Sequence, residues 1–211
     1  MRHNRARELR TQGLSIIQLA GLQKFMIAFM ILALMSLPFV QPVQKKDEAK
    51  TEEAKSFGDM TMLITWPDKL DIDIDLWALC VSDDQPVGYS NRAGKTCNLQ
   101  RDDLGKPNDS TDLNFEMVST RGLPSGEYIV NIHYFMNHEL GVSEVPVTVV
   151  VSTKAQGVGG MKEIITRKAV LRNLGEELTV VRFTIDANGE LVKDSVNDFY
   201  QELRSWQPRI Q

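Results

Sequence analysis

Residues 127–135 read EYIVNIHYF, and this stretch has the clearest strand pattern in the chain. Successive side chains of a β-strand point to opposite faces, so residues at alternate positions share a face. One face contains Asn131 and His133, and we expect His133 to be exposed or half-buried. The opposite face is apolar and is expected to enter a core: Tyr128, Val130, Ile132 and Tyr134.

Similar segments with a period of two occur on both sides of this stretch, and residues typical of turns separate them. Residues 162–172 and 177–185 are expected to form a hairpin or to lie as neighbours, and residues 186–189 are expected to form a turn. Strands at this spacing predict a mainly β fold, an antiparallel Ig-like or jelly-roll-type β-sandwich over residues 58–191. The other predicted strands are 60–66, 71–81, 86–90, 96–100, 113–119 and 145–153.

Residues 192–211 have a different pattern. Apolar residues recur there at helical spacing, and Asp194 or Ser195 is a suitable N-cap residue. We therefore predict a short C-terminal helix over Val192–Trp206, followed by a tail. The apolar positions are Val196, Phe199, Tyr200 and Leu203.

The N-terminal part of the chain contains FMIAFMILALMSLPFV at Phe25–Val40, and the uncharged run continues to Gln44. About 20 helical residues cross the hydrocarbon core of a bilayer, so residues 25–44 are predicted to form a transmembrane helix. No A-x-A sequence follows the apolar run, which favours an uncleaved signal anchor over a cleaved signal peptide. The residues predicted to contact lipid are Phe25, Ile27, Phe29, Ile31, Leu34 and Leu37.

Charge around this segment predicts its orientation. Residues 1–24 contain five basic residues and one acidic residue, Glu8. Because basic flanks stay in the cytoplasm, residues 1–24 are expected there, with the C-terminal domain in the periplasm, attached to the inner membrane by a single span. Residues 14–22 are expected to form an amphipathic helix on the inner leaflet or a cytoplasmic extension of the span.

The segment after the span, residues 45–57, is predicted to be a charged tether, either a short helix or an extended spacer. It begins with KKDEAKTEEAKS. Once residues 1–24 are set aside, the chain has 19 basic and 27 acidic residues and a net charge of −8. An acidic domain of this kind is not expected to bind nucleic acid, which requires a basic surface.

Three acidic residues alternate along one predicted strand: Asp71, Asp73 and Asp75. Alternation places them on one face, where three like charges repel unless a cation compensates them. Oxygen ligands suit Ca²⁺, so calcium is the candidate cofactor. The alternative is a solvated strand end without a metal. Further oxygen ligands would come from Asp68, Asp83 or Asp102.

Cys80 and Cys97 are the two cysteines of the chain. In an oxidising compartment they are expected to form a disulfide, and the alternative is two buried thiols. A zinc site with His133 and His138 has suitable ligand types but lacks the usual spacing. No nucleophile elbow, phosphate-binding loop or dinucleotide fingerprint is present, so the protein is not expected to be an enzyme.

Four segments together carry a resemblance: WPDKLDIDIDLW (66–77), VGYSN (87–91), RDDLG (101–105) and GLPSGEYIVNIHYF (122–135). They resemble the β-sandwich domain of uncharacterised secreted or periplasmic proteins and of similar bacteriophage-encoded proteins with one N-terminal span. The resemblance covers roughly residues 57–152. It implies a fold but no activity, and it leaves a bacterial or bacteriophage origin open.

The order of basic tail, span, tether and periplasmic domain also resembles the ExbD/TolR/MotB-type partners of proton-driven motors. Those proteins carry an acidic residue in the span, whereas this chain has none between Thr11 and Gln44. We expect a membrane-anchored envelope protein whose sandwich binds protein, glycan or a second copy. The alternative is an accessory single-span subunit of a multispan membrane complex, with close helix contacts at Ala28, Ala33 and Ser36.

Overall fold

The computed structural model describes residues 58–105, 111–154 and 160–204, together with Lys24, Met26 and Ile27, which are helical. The rest of the predicted span 25–44, the tether 45–57 and residues 1–23 lie outside the described residues. No helix in the described part of the chain is long and apolar enough to cross a membrane. Five of the predicted lipid-contacting residues also lie outside it: Phe25, Phe29, Ile31, Leu34 and Leu37.

The described residues contain nine β-strands, in agreement with a mainly β fold. In chain order they are β1 (Met60–Thr65), β2 (Ile72–Leu79), β3 (Cys97–Arg101), β4 (Phe115–Thr120), β5 (Gly126–Asn137), β6 (Val145–Lys154), β7 (Met161–Leu171), β8 (Glu177–Ile185) and β9 (Leu191–Asn197).

These strands form two antiparallel sheets, which fit a β-sandwich. Sheet A has the order β3-β4-β1-β6-β7, and sheet B has the order β2-β5-β8-β9. β2 is therefore an edge strand of sheet B. The pairing of β2 with β5 places Asp75 opposite His133, and this register determines much of the site described below.

The main core lies between the inner faces of the two sheets. The predicted apolar face of β5 is confirmed, because its four alternate residues are all in this core. Burying one large apolar side chain contributes about 1.5–3 kcal/mol, so a core of this size is the main stabilising term. β2 and β5 contribute Ile72, Ile74, Leu76, Ala78, Tyr128, Val130, Ile132 and Tyr134.

The prediction that β7 and β8 form a hairpin or lie as neighbours is wrong. β7 pairs with β6 in sheet A, whereas β8 pairs with β5 in sheet B. Residues 172–176 carry the chain from one sheet to the other, and Glu176 accepts the backbone N–H groups of Arg172 and Asn173 in this turn. Apolar alternation indicates a strand but not its partner, because every sheet edge offers the same N–H and C=O groups.

The predicted C-terminal helix is also wrong. Residues 191–197 form β9, which pairs with β8, and residues 198–204 have no helix. The predicted turn at residues 186–189 is confirmed: Gly189 donates its N–H to the carbonyl of Asp186 and adopts a φ of +80°. This turn brings the chain back along the open edge of β8, where ladder hydrogen bonds replace those of a helix.

A disulfide joins Cys80, just after β2, to Cys97 at the start of β3, with Cα atoms 6.1 Å apart. It connects sheet B to sheet A. Asp83 supports the connection, because its carboxylate accepts the backbone N–H groups of Thr96 at 2.7 Å and Cys97 at 3.1 Å. The bond closes a loop with a sequence separation of 17 residues.

We expect Cys80→Ser to lower the free energy of unfolding by about 3 kcal/mol, because a loop of this length gains chain entropy when it is no longer closed in the unfolded state. Denaturant unfolding of the full chain in detergent would measure this. The double variant Cys80→Ser/Cys97→Ser is the control and should lose about the same amount. If the single and double variants are as stable as the wild type, the bond does not contribute to stability.

Candidate functional site

The outer face of sheet B carries two acidic side chains from the edge strand β2. Ile72 and Ile74 point into the core, so Asp73 and Asp75 point to the opposite face. Both carboxylates are nevertheless buried, with exposed fractions of 7 % and 4 %. A carboxylate that is removed from water requires hydrogen bonds, a proton or a cation to compensate its charge.

Asp75 obtains such a partner from the neighbouring strand. Its Oδ2 lies 2.7 Å from Nδ1 of His133, and Nε2 of His133 lies 2.9 Å from a guanidinium nitrogen of Arg204. Arginine has only donors, so Nε2 accepts and Nδ1 carries the proton that is donated to Asp75. The imidazole is therefore neutral in this arrangement. Because Arg204 occupies the Nε2 lone pair, His133 has no free base for proton abstraction.

His133 is only 1 % exposed, so the prediction that it is exposed or half-buried is wrong. The cover is the C-terminal segment, residues 198–204, which lies across the outer face of sheet B. Leu203 in this segment packs with Trp77 and Ile129. The strand pattern alone does not reveal such a cover, because the segment comes from a distant part of the chain.

Glu177 at the start of β8 holds the C-terminal segment in place. Its Oε1 accepts hydrogen bonds from the side chain of Asn131 at 2.6 Å and from the backbone N–H groups of Leu203 at 2.8 Å and Arg204 at 3.3 Å. The backbone carbonyl of Gln201 accepts a further bond from Asn131 at 2.8 Å. One carboxylate thus positions the residue that contacts His133.

A third carboxylate reaches the same region from sheet A. Glu116 on β4 is 1 % exposed, and its Oε2 accepts the backbone N–H of Leu76 on β2 at 2.7 Å. Its Oε1 accepts the backbone N–H of Asp103 at 3.1 Å. The loop after β3 is tied to β4 as well, because Asp103 accepts the N–H of Phe115 at 3.2 Å. Glu116 therefore connects the two sheets and this loop.

Asp73, Asp75 and Glu116 form a compact group of acids, hereafter the carboxylate cluster. One oxygen from each lies within 4.8 Å of one oxygen from each of the others. Oδ1 of Asp73 is buried and has no hydrogen-bond partner among the residues that the structure describes. Two of the three acids are thus supported by hydrogen-bond donors, and the third has an oxygen left without one.

Burial dominates the electrostatics of the cluster. It raises the pKa of Asp73 to about 8, and the negative charge of Asp75 adds to this effect. Burial likewise raises the pKa of Glu116 well above its usual range, again with a contribution from Asp75. Burial also raises the pKa of Asp75 itself, but the hydrogen bond from His133 opposes that increase. The cluster therefore favours a bound proton or cation over three free charges.

The carboxylate cluster differs in composition from the predicted calcium site. It contains Asp73 and Asp75 but not Asp71, whose Oδ1 lies 3.5 Å from Nδ1 of His138 just before β2 begins. Glu116 takes the third place. Glu116 was not among the residues predicted from the sequence, although an acid at an inward position of the 113–119 strand, two residues before the core residue Val118, is an unusual feature. Binding of calcium stays a prediction.

The other residues proposed for metal binding lie in separate interactions. Asp68 accepts the N–H of Asn114, Asp83 supports the disulfide, and Asp102 forms an ion pair with Arg92 at 2.8 Å. Cys80 and Cys97 are bonded to each other, so their thiols are not available to form a zinc site with the two histidines.

No protein-family profile, curated protein or solved structure matches this chain. Buried carboxylates of raised pKa fit the binding of a cation or a proton.

We expect Asp73→Asn to change how stability depends on pH. In the folded protein Asp73 keeps its proton up to about pH 8, whereas an unfolded aspartate loses it near pH 4, so the free energy of unfolding falls as the pH rises between these values. Asp73→Asn has no titrating carboxyl group at this position, so it lacks this fall in the free energy of unfolding. In buffer with a chelator it should match the wild type near pH 4 and exceed it by at least about 1 kcal/mol above pH 8.

Thermal unfolding across this pH range would measure the difference. Asp84→Asn is the matched control, because it removes an exposed carboxylate that pairs with Lys95 outside the cluster. A constant difference between Asp73→Asn and the wild type at all pH values would contradict the prediction.

We also expect Glu177→Ala to release the C-terminal segment. The variant removes an acceptor of three hydrogen bonds, and bonds to a charged group contribute about 1.5–3 kcal/mol each when lost singly. Hydrogen exchange at residues 198–204 should become faster by at least tenfold. Glu202→Ala, which changes an exposed acid in the same segment, should leave the exchange rates unchanged. Equal rates in both variants would show that Glu177 does not hold the segment.

Proposed function

We propose that this protein is a non-enzymatic, membrane-anchored envelope protein whose β-sandwich faces the periplasm and binds a protein or glycan partner. The observation that carries the proposal is the disulfide between Cys80 and Cys97. Stable disulfides are typical of oxidising compartments and rare in the cytosol. A sandwich that contains one is therefore suited to the periplasmic side of the inner membrane.

Sequence features outside the sandwich support the same location. Residues 25–44 carry no charge and follow a basic N-terminal segment, which is the arrangement of a signal anchor with its N-terminus in the cytoplasm. The disulfide and the charge distribution are independent features of the chain. Their agreement supports one topology, with residues 1–24 inside and the sandwich outside.

A binding role is supported by exposed aromatic side chains on sheet B and beside it. Tyr89 and Phe135 are each 43 % exposed, and their ring centroids lie 6.0 Å apart. Tyrosine and phenylalanine are enriched in interfaces because they provide much contact area at a low cost in conformational entropy. The two antiparallel sheets support a domain of the Ig-like or jelly-roll type. The exposed aromatic side chains support a role of this domain in binding a partner through surface contact.

A second candidate is an accessory subunit of a multispan membrane complex, in which small residues of the span contact the partner. Purification in mild detergent separates the two functions. A stoichiometric multispan protein in the purified sample supports the second candidate. A free monomer or a homodimer supports the first.

Labelling of thiols in spheroplasts would test the topology. We expect a membrane-impermeant maleimide to label the wild-type protein only after treatment with a membrane-impermeant reductant, because Cys80 and Cys97 are oxidised and outside. Ser15→Cys in the Cys80→Ser/Cys97→Ser background is the matched control and should be labelled only after lysis.

The proposal fails if wild-type thiols are free without reductant and become labelled only after lysis. It also fails if the full chain and a chain without residues 1–44 both fractionate as cytosolic proteins.

A further inference from the structure

We propose that the carboxylate cluster of Asp73, Asp75 and Glu116 is a binding site for a hard divalent cation, of the class of Ca²⁺, Mg²⁺ or Mn²⁺. The proposal does not depend on the location of the protein or on its partner. It rests on the geometry of three buried side chains that come from both sheets of the sandwich.

The spacing of the oxygens fits one ion. Ca²⁺ binds oxygen ligands at about 2.3–2.6 Å, so two oxygens on the same ion are at most about 5 Å apart. The three carboxylates each offer an oxygen within 4.8 Å of the others. The donor set contains only oxygen, which selects hard cations over the softer metals that prefer sulfur and imidazole.

An unpartnered oxygen is the second observation. Asp73 is 7 % exposed, and its buried Oδ1 has no hydrogen-bond partner within residues 58–105, 111–154 and 160–204. A buried polar atom without a partner destabilises the folded state, and such atoms are uncommon in folded proteins. A cation bound by this oxygen would compensate for the missing partner. The hydrogen bonds elsewhere in the cluster are made to Asp75 and Glu116 and do not satisfy this oxygen.

The other two acids are held in position by donors behind them. His133 donates to Asp75, and the backbone N–H groups of Leu76 and Asp103 donate to the two oxygens of Glu116. Carboxylates that bind metals are usually oriented by hydrogen bonds of this kind, and each oxygen retains a second lone pair for the ion. His133 is thus a positioning residue, because it contacts the ligand Asp75 rather than the site of the ion.

Charge near the cluster is not balanced by basic side chains. In residues 58–105, 111–154 and 160–204, no lysine or arginine forms an ion pair with any of the three acids. Arg204 is separated from Asp75 by the neutral imidazole of His133. A divalent cation would therefore compensate charge that the described side chains leave largely uncompensated.

The competing arrangement is a cluster that holds protons instead of a metal. The two are distinguished by thermal unfolding of the full chain in detergent at neutral pH, with EDTA or with Ca²⁺, Mg²⁺ or Mn²⁺ in turn. At ten times the dissociation constant, a bound cation should raise Tm by about 3–6 °C. Calcium sites in proteins have dissociation constants up to about 1 mM, so each titration extends to about 10 mM of the cation.

Asp73→Asn should lose this rise in Tm, because an amide cannot give up a proton to bind the cation as an anionic ligand, and the change removes no hydrogen bond that a described residue makes to Oδ1. Asp84→Asn, which changes an acid outside the cluster, should keep it. Glu116→Gln is a second variant, and its amide oxygen keeps an acceptor for one of the two backbone N–H groups that Glu116 binds, those of Leu76 and Asp103. Its affinity for the cation should be at least tenfold lower than that of the wild type.

Terbium luminescence gives a readout that does not depend on stability. Trp77 lies two residues after Asp75 on the same face of β2, so it should transfer energy to Tb³⁺ bound at the cluster. We expect a signal in the wild type that Ca²⁺ displaces and that Asp73→Asn abolishes. A wild-type Tm that responds to none of the three cations, or an equal response in Asp73→Asn, would overturn the proposal in favour of bound protons.

Discussion

The hydrogen bond from the backbone N–H of Leu76 to the carboxylate of Glu116 links β2 of sheet B to β4 of sheet A. β2 is an edge strand, and this N–H would otherwise lack a partner in a buried setting. Glu116 satisfies it only by placing a carboxylate in the interior. The burial of Glu116 is thus the consequence of giving this edge N–H a hydrogen-bond acceptor. The neighbouring acids of β2 increase the electrostatic cost of that burial.

The outer face of sheet B shows how the fold accommodates these acids. Asp75 accepts a hydrogen bond from His133, His133 is oriented by Arg204, and Arg204 is positioned by Glu177 through the backbone of the C-terminal segment. Each of these groups depends on the next one for its geometry. This coupling connects the carboxylate cluster to the end of the described chain, although the cluster itself lies at the edge of β2.

Much of the fold was predictable from local pattern. The alternation in EYIVNIHYF identified the core face of β5, and turn residues separated most of the strands correctly. The partners of β7 and β8 and the structure of residues 192–204 were not predictable in this way. Val196 and Leu203 fit helical spacing, but the open edge of β8 offered backbone hydrogen bonds that a strand uses and a helix does not.

For the site, too, some features follow from the local sequence and others only from the tertiary structure. By itself, the sequence determined that the acids of β2 alternate, that two cysteines are present, and that an uncharged segment follows a basic tail. The tertiary structure alone decided that Glu116 joins Asp73 and Asp75, that Asp71 does not, and that His133 is buried. The reason is physical: periodicity describes neighbours along one strand, whereas this cluster is made by strands of different sheets and by a cover from residues 198–204.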